Sequence, residues 1–326
     1  MEFQPQTWIP PKSPGLAGDY APNDRLAAAE LWGVDGRGPE DVVVADDGWA
    51  LTGLEDGRMM RISPDGMAAE CFAETGGRPL GVELFGSDVL VCDADRGLLV
   101  VTPAGEVTTL CDGDGDVTFA LTNNASVASD GTIYFSVSSL RWPLATYKLD
   151  LLEQSATGRL YRRNPDGTLD LILDGMVFAN GVALAPDESF VLVAETGRYR
   201  IHRVWLKGER AGTAEVWLDN LPGFPDNLTC DGELVWCAYP RPRDPILDAT
   251  YPRPWARRLI ARLPDSLQPK PSRHGFVVGY GLDGAVVHNL QDTTGKVAVT
   301  TSARRHGDRL YVGSLSEPTI AVLDLG

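Results

Sequence analysis

Six short stretches stand immediately ahead of apolar, strand-like runs: Pro39-Glu40-Asp41, Pro79-Leu80-Gly81, Asn123-Asn124, Ala179-Asn180-Gly181, Pro225-Asp226-Asn227 and Thr301-Ser302. Read in one register, they offer Glu40, Leu80, Asn123, Asn180, the pair Asp226 and Asn227, and Thr301. If that register brings them to one axis, two carboxylates and three amide carbonyls converge. Such a set is all oxygen, which suits a hard cation such as Ca²⁺. It contains no His or Cys, which counts against Zn²⁺. Two carboxylates enclosed together without a cation would raise each other's pKa, and a divalent ion resolves that conflict. Asn and Asp also begin strands because they make turns well, which would suffice for any single position. Recurrence across the runs is what points to a site. Asp41 and Asn124 follow ligand candidates directly, and two readings stand for them: a second ion, or hydrogen bonds to loop backbone.

The elements that must position these residues are repeats. The stretch from Leu26, "LAAAELWGVDGRGPEDVVVADDGWALTGLEDGRMMRISPDG", matches in plan the stretch from Met67, "MAAECFAETGGRPLGVELFGSDVLVCDADRGLLVVTPAG". Each reads as strand, Gly/Pro link, apolar strand, turn, strand, turn, strand. The plan returns from near Val107, Leu169, Ala214 and Val286. Short β-branched runs separated by D-G or P-D turns are strands in hairpins. Four strands in about forty residues is the size of a propeller blade. The expected fold is therefore all-β, a six-bladed β-propeller with four-stranded blades spanning 26–326, behind an N-terminal extension of residues 1–25. Closing the ring removes exposed edges. The first strand, near Leu26 to Leu31, is expected on the outer edge of a blade. In such a ring the innermost strand of each blade lines a central channel.

Two stretches break the period. One runs from Ser139 to Thr157, the other from Pro240 to Ser272. The second contains "WARRLIARLPDSLQ", read as a short helical insertion in blade five, with Leu259, Ile260 and Leu263 at helical spacing. Long loops in a compact domain commonly form functional rims. Trp142, Tyr147, Phe178 and Phe224 flank the ligand motifs and could wall an apolar pocket with Leu80 and Thr301, or simply pack the blades. Of the four histidines, His202, His288 and His306 read as surface or turn residues. His274, just after the second insertion, is the one candidate for the pocket.

Composition narrows the function. The chain has 326 residues, 43% of them hydrophobic, so a large core is within reach. Its formal net charge of −16 disfavours nucleic acid as a partner. A small-molecule substrate is expected, with no nucleic acid and no membrane partner. The five cysteines lack CxxC spacing, which argues against disulfide or zinc frameworks. Cys71, Cys92 and Cys237 are expected to pack as small hydrophobes. Without a leader-like or membrane-spanning run, a cytoplasmic location is expected. The G-x-S-x-G elbow of serine esterases is missing.

The stretches "GPEDVVV", "GRPLG", "ASDGTIYFSVSS", "FANGVALAPDESFVLVAETGRYRIHRVWL", "LPGFPDNLTCDGELVW" and "LYVGSLSEP" resemble the strictosidine synthase-like proteins, within the wider group of paraoxonases and gluconolactonases. The resemblance covers nearly all of the chain after Gly38. It implies a six-bladed propeller and, by its motifs, calcium ligation by Glu40, Asn123, Asn180, Asp226 and Asn227. It also implies that Asp226 orients or deprotonates water, as the matching Asp is held to do in gluconolactonase-like enzymes. The departures matter too. Strictosidine synthase uses a Glu in its final blade for amine–aldehyde condensation, and here that place falls near Thr301. Paraoxonases carry a His dyad where this chain has Leu80 and Asp93 or a neighbour. The expected function is therefore a Ca²⁺-dependent hydrolase of a lactone or ester. Two rivals are a non-enzymatic, calcium-stabilised binding platform and a metal-free condensing enzyme.

Overall fold

The computed structural model describes residues 2–263 and 273–326. The chain forms six four-stranded antiparallel sheets arranged as a β-propeller. Blade one contains Val42–Val44, Ala50–Gly53, Arg58–Ile62 and Ala69–Glu74, from the axis outward. Blade two follows with Pro79–Phe85, Asp88–Asp93, Gly97–Val101 and Val107–Cys111. Blade three is Leu121–Val127, Ile133–Ser139, Gly158–Arg163 and Leu169–Met176. Blade four is Ala179–Leu184, Phe190–Glu195, Arg200–Trp205 and Ala214–Leu218. Blade five is Leu228–Cys230, Leu234–Ala238, Gly275–Gly281 and Val286–Asp292. Blade six is Thr300–His306, Arg309–Ser314 and Thr319–Asp324, with Glu30–Gly33 as its outermost strand.

Each sequence repeat therefore starts one strand early, with the outer strand of the preceding blade. The Gly/Pro link then carries the chain back to the axis. For the first repeat the preceding blade is the sixth. Leu31 pairs with Ala321 and Trp32 with Ile320, so the two ends of the ring are joined by backbone hydrogen bonds. The strand begins at Glu30, slightly later than expected, because Arg25–Ala28 forms a 3₁₀ turn. Hairpins turn where Asp side chains replace missing backbone partners: Asp130 accepts from the Thr132 amide at 2.8 Å and Asp166 from the Thr168 amide at 2.9 Å.

Successive first strands touch one another around the ring, so they enclose the axis. Six apolar clusters each straddle one pair of adjacent blades. Trp236, fully buried, packs blade five against blade six, and Phe135 packs blade three against blade two. Burying one such side chain stabilises by roughly 1.5–3 kcal/mol. Cys92 and Cys237 lie in these cores, but Cys71 is exposed, because it stands on the outer strand of blade one.

The first insertion carries a helix, α1 (Tyr147–Glu153). The second carries two, α2 (Pro245–Thr250) and α3 (Pro254–Ile260), where one was expected. Asp244 caps α2 by accepting from the Ile246 amide at 2.8 Å, and proline occupies the first turn of both helices. The apolar spacing expected to bury α3 does not do so. Leu259 is 57% and Leu263 40% exposed, while Arg257 is fully buried. Arg257 donates to the carbonyls of Leu152 at 2.6 Å, Tyr251 at 2.9 Å and Gln6 at 2.5 Å. It thus ties α1, the second insertion and the N-terminal segment together. The "PDSLQ" half of the helical reading lies outside the described residues. The N-terminal segment runs along this rim, with the Trp8 ring 5.0 Å from Tyr251 and 5.8 Å from Tyr199. Among the described residues no helix is long and apolar enough to cross a membrane.

Candidate functional site

The inner strands begin irregularly, and the irregularities fall on the residues singled out in the sequence. Pairing between the first and second strands breaks between Pro79 and Val82, around Leu80-Gly81. It breaks between Thr122 and Ala125, around Asn123-Asn124. The same happens between Ala179 and Val182, around Asn180-Gly181, and between Thr300 and Ser302, around Thr301. Bulges of this kind release residues from the ladder and re-aim their side chains. In blades one and five, Glu40 and the Asp226-Asn227 pair lie just ahead of short inner strands.

The strand starts are pressed together. A Cβ on Gly181 would overlap the Leu228 amide nitrogen and stand 2.5 Å from the Asp226 carbonyl oxygen. A Cβ on Gly313 would stand 2.5 Å from the Glu40 carbonyl oxygen. Only glycine permits these approaches. Backbone links then run around the ring. The Gly181 amide donates to the Asp226 carbonyl at 3.2 Å and the Asn227 amide to the Thr301 carbonyl at 2.9 Å. The Thr301 hydroxyl donates to the Glu40 carbonyl at 2.6 Å.

Glu40, Asn123, Asn180, Asp226 and Asn227 are all buried. The Asn227 carboxamide donates to the Glu40 carboxylate at 3.0 Å. The side-chain oxygens of Asn123, Asn180 and Asn227 are buried and have no hydrogen-bond partner. A buried acceptor left unsatisfied costs about 1–3 kcal/mol, so three in one ring of residues require an explanation. Burial pushes the Glu40 carboxyl up, helped by Asp41 and opposed by Arg78 and the Asn227 amide. Burial likewise pushes Asp226 up, with the Glu40 charge next in weight. Three orphaned carbonyl oxygens and two carboxylates that resist ionising together fit a hard divalent cation. Among the described residues no three His, Cys, Asp or Glu side chains gather as a metal cluster, so the fit depends on the amides.

Asp41 and Asn124 are engaged differently. Asp41 accepts from the Val42 amide at 2.8 Å and the Val82 amide at 3.1 Å. Asn124 donates to Asp41 at 3.3 Å, and its oxygen accepts from the Val182 amide at 2.8 Å. The pair stitches the inner strands of blades one to four together.

Leu80, Phe178 and Tyr147 share one apolar cluster with Ala94 and Leu121. Tyr147 comes from α1, and its ring lies 6.0 Å from that of Phe178. Phe178 holds a left-handed φ of 62°, which is strained for an aromatic residue, two positions before Asn180. Phe224 packs 4.9 Å from Tyr199, two positions before Asp226, with the Arg241 guanidinium 4.6 Å above its ring. Thr301 is buried in the ring itself. Trp142 goes elsewhere: its indole donates to Glu153 at 2.6 Å inside the first insertion. His274 also goes elsewhere, to Gln291 on the outer strand of blade five at 3.0 Å.

Sequence reasoning missed several buried charges. Arg78 is 5% exposed and donates to the Gly38 carbonyl at 2.8 Å, which places a cation beside the segment that carries Glu40. Glu195 receives the Val177 amide at 2.9 Å, just before Asn180, and also binds His202 at 2.7 Å and Arg200 at 2.5 Å. His202 is thus enclosed, where a surface position was expected. Burial works to raise the Glu195 carboxyl, but His202 and Arg200 outweigh it and hold it low.

Residues 123–209 match the sequence profile described as strictosidine synthase, and residues 18–62 that described as strictosidine synthase-like, N-terminal. The adipocyte plasma membrane-associated protein of Salmo salar is 34% identical over 96% of this chain and 82% of its own length. Strictosidine synthase-like protein 6 of Arabidopsis thaliana is 32% identical over 93% of this chain and 84% of its own. Among solved structures, a gluconolactonase from Xanthomonas campestris aligns with a TM-score of 0.68 at 17% identity, covering 93% of this chain and 91% of that one. A calcium-binding regucalcin from Agrobacterium tumefaciens aligns with a TM-score of 0.61 at 17% identity, covering 88% and 92%. At these identities the two structures establish the shared fold.

Proposed function

The chain belongs to the strictosidine synthase-like family, and from that premise and the channel geometry we propose that it is a Ca²⁺-dependent hydrolase of a lactone or ester. The observation that carries the reading is the set of three buried amide oxygens, on Asn123, Asn180 and Asn227, left without partners at the inner-strand starts, two of which also bring buried carboxylates. Glu40, Asp226 and these amides would hold the ion. Neutral amides leave it net positive charge. When bound, Ca²⁺ would supply positive charge to polarise the acyl carbonyl.

The chain's own residues do the rest. The Asp226 carboxylate takes a proton from water as its oxygen attacks the acyl carbon. The acyl C–O bond breaks, and the same proton passes to the leaving alkoxide oxygen. Leu80, Phe178 and Tyr147 pack into one apolar cluster, which would keep water from the strand start that carries Asn180. A weak Lewis acid favours a strained lactone or activated ester over an amide. Condensation of the strictosidine synthase kind is disfavoured, because Thr301 has no acid–base group and its hydroxyl is bound to the Glu40 carbonyl. The named functions of the gluconolactonase and regucalcin neighbours agree with this reading.

The test uses EDTA-stripped protein, with and without added Ca²⁺, against a panel of lactones and aryl esters. Activity should return with the ion and be lost in Asp226→Ala. Ion binding without turnover would favour a binding platform, and no ion binding would remove the site assignment.

A further inference from the structure

The two insertions each seat one residue against an aromatic ring that closely precedes a ligand candidate. Tyr147 opens α1 and leans on Phe178, its ring centroid 6.0 Å away. Arg241 precedes α2 and lies 4.6 Å over the ring of Phe224. Phe178 stands two residues before Asn180, and Phe224 two before Asp226. Each aromatic ring therefore seats an insertion residue beside a ligand candidate. Burial pushes the Tyr147 phenol up, while the Arg241 cation and the Asp226 carboxylate act on it in opposite directions.

Arg241 is half-buried, and its guanidinium makes no hydrogen bond or ion pair among the described residues. Its neighbour Arg243, two residues on, is satisfied by Asp248 at 2.7 Å and Asn220 at 2.5 Å. The chain carries 45 acidic against 29 basic residues, so carboxylate partners abound. The contact with the Phe224 ring leaves the N–H groups of the guanidinium without a protein acceptor, and such a group can bind a carboxylate two-pronged.

We propose that Arg241, seated on the Phe224 ring two residues before Asp226, is an anion-recognition site, and that the substrate is a lactone or ester bearing a separate carboxylate. This inference rests on the hydrolase reading and deepens it. The carboxylate is not the reacting group. It anchors the molecule on Arg241 while the acyl carbon faces Asp226. An acidic protein repels such substrates at long range, so a local cation is required to admit them.

Two measurements separate this inference from the hydrolase reading. The first is turnover of a γ-butyrolactone carrying a ring carboxylate against the matching ring carboxamide, in wild type, Arg241→Met and Arg241→Lys, each checked for native circular dichroism. Wild type should favour the carboxylate in kcat/KM by about tenfold or more, the ratio should fall to about one in Arg241→Met, and Arg241→Lys should fall between, since lysine keeps the charge but loses the fork. The second is calorimetric binding of cyclopentanecarboxylate against cyclopentanecarboxamide, which needs no hydrolysis. Carboxylate-selective binding that depends on Arg241 without any turnover would keep the anion site and overturn the hydrolase. Turnover with equal preference for both lactones in wild type would overturn the anion site and keep the hydrolase. Absence of both binding and turnover would overturn the two together.

Discussion

The Asn227 carboxamide spends its N–H on Glu40, across 3.0 Å and between blades five and one, and so turns its oxygen away without a partner. That one bond sets the polarity of the ring. The amide shields one carboxylate while presenting an acceptor to whatever fills the channel. Asn227→Asp should invert this. The donor to Glu40 disappears and a third carboxylate joins two that already resist ionising. In EDTA the variant should lose about 3–5 kcal/mol, the usual cost of an uncompensated buried charge. Saturating Ca²⁺ should restore part of it. For wild type, Ca²⁺ at a hundred times its Kd should add about 2.7 kcal/mol by mass action. Thermal melts of both proteins with and without Ca²⁺ check this, and curves indifferent to the ion would refute the site.

How far this was legible beforehand depended on the kind of contact. Glu40, Asn123, Asn180, Asp226 and Asn227 recur at one place in a repeated unit, and a repeat places equivalent residues equivalently around an axis. Chain adjacency alone was a poorer guide. Trp142 and His274 stand near motif or insertion residues in sequence, yet one turns to Glu153 and the other to Gln291. Arg78 and Glu195 were invisible because each meets a backbone group in a link that leads into a blade, where no periodicity operates. The helix α3 was legible, but the residue that anchors it was not. Its spacing of Leu259 and Leu263 is helical, but Arg257 satisfies three carbonyls that no apolar side chain could.

Arg257 should accordingly be the linchpin of the rim. Removing its guanidinium in Arg257→Met strands the carbonyls of Gln6, Leu152 and Tyr251, the bond to the last of these fully buried. A loss of about 2–4 kcal/mol is expected from one to two unsatisfied groups. Local opening should exceed global loss, because the blades have their own cores. Hydrogen exchange and limited proteolysis should therefore speed up in residues 2–15 and around α1 before the blades respond. Leu259→Ser, at a 57% exposed site on the same helix, should change stability by no more than about 0.5 kcal/mol. Equal effects from the two substitutions would contradict the assignment.

Asp150 on α1 gives the pH dependence a sign. Burial raises its carboxyl to about 6, against the hydrogen bonds of Ser139 and Ser155. A raised acid binds its proton more tightly in the folded chain than in the unfolded one. Its contribution is therefore fully present below about pH 4 and is lost as pH rises through about 6. Two pK units correspond to about 3 kcal/mol, an upper bound for one group. Asp150→Asn should remove this slope, leaving a flatter curve between pH 4 and 6 and a relative gain above it. Urea midpoints across that range provide the check, and parallel curves for variant and wild type would rule the titration out.

Gly181 carries the sharpest steric demand in the ring. The added methyl of Gly181→Ala meets the Leu228 amide nitrogen and the Asp226 carbonyl, both backbone, so no side-chain rotation can relieve it. Either the inner strands of blades four and five separate, or Asn180 and Asp226 shift together. Separation breaks the bond from the Gly181 amide to Asp226 and moves two ligand candidates off their positions. A stability loss of about 1–3 kcal/mol is expected from overpacking. The more telling consequence is for the ion: Ca²⁺ affinity should fall by at least tenfold while circular dichroism stays that of a propeller. Gly86→Ala serves as the comparison, because its Cβ would meet nothing within 4 Å, although its φ of 63° adds backbone strain. Strain at Gly86 should lower stability alone and leave the ion affinity where it was. If Gly181→Ala bound Ca²⁺ as tightly as wild type, the amide ring around Asn180 would not be the place where the ion sits.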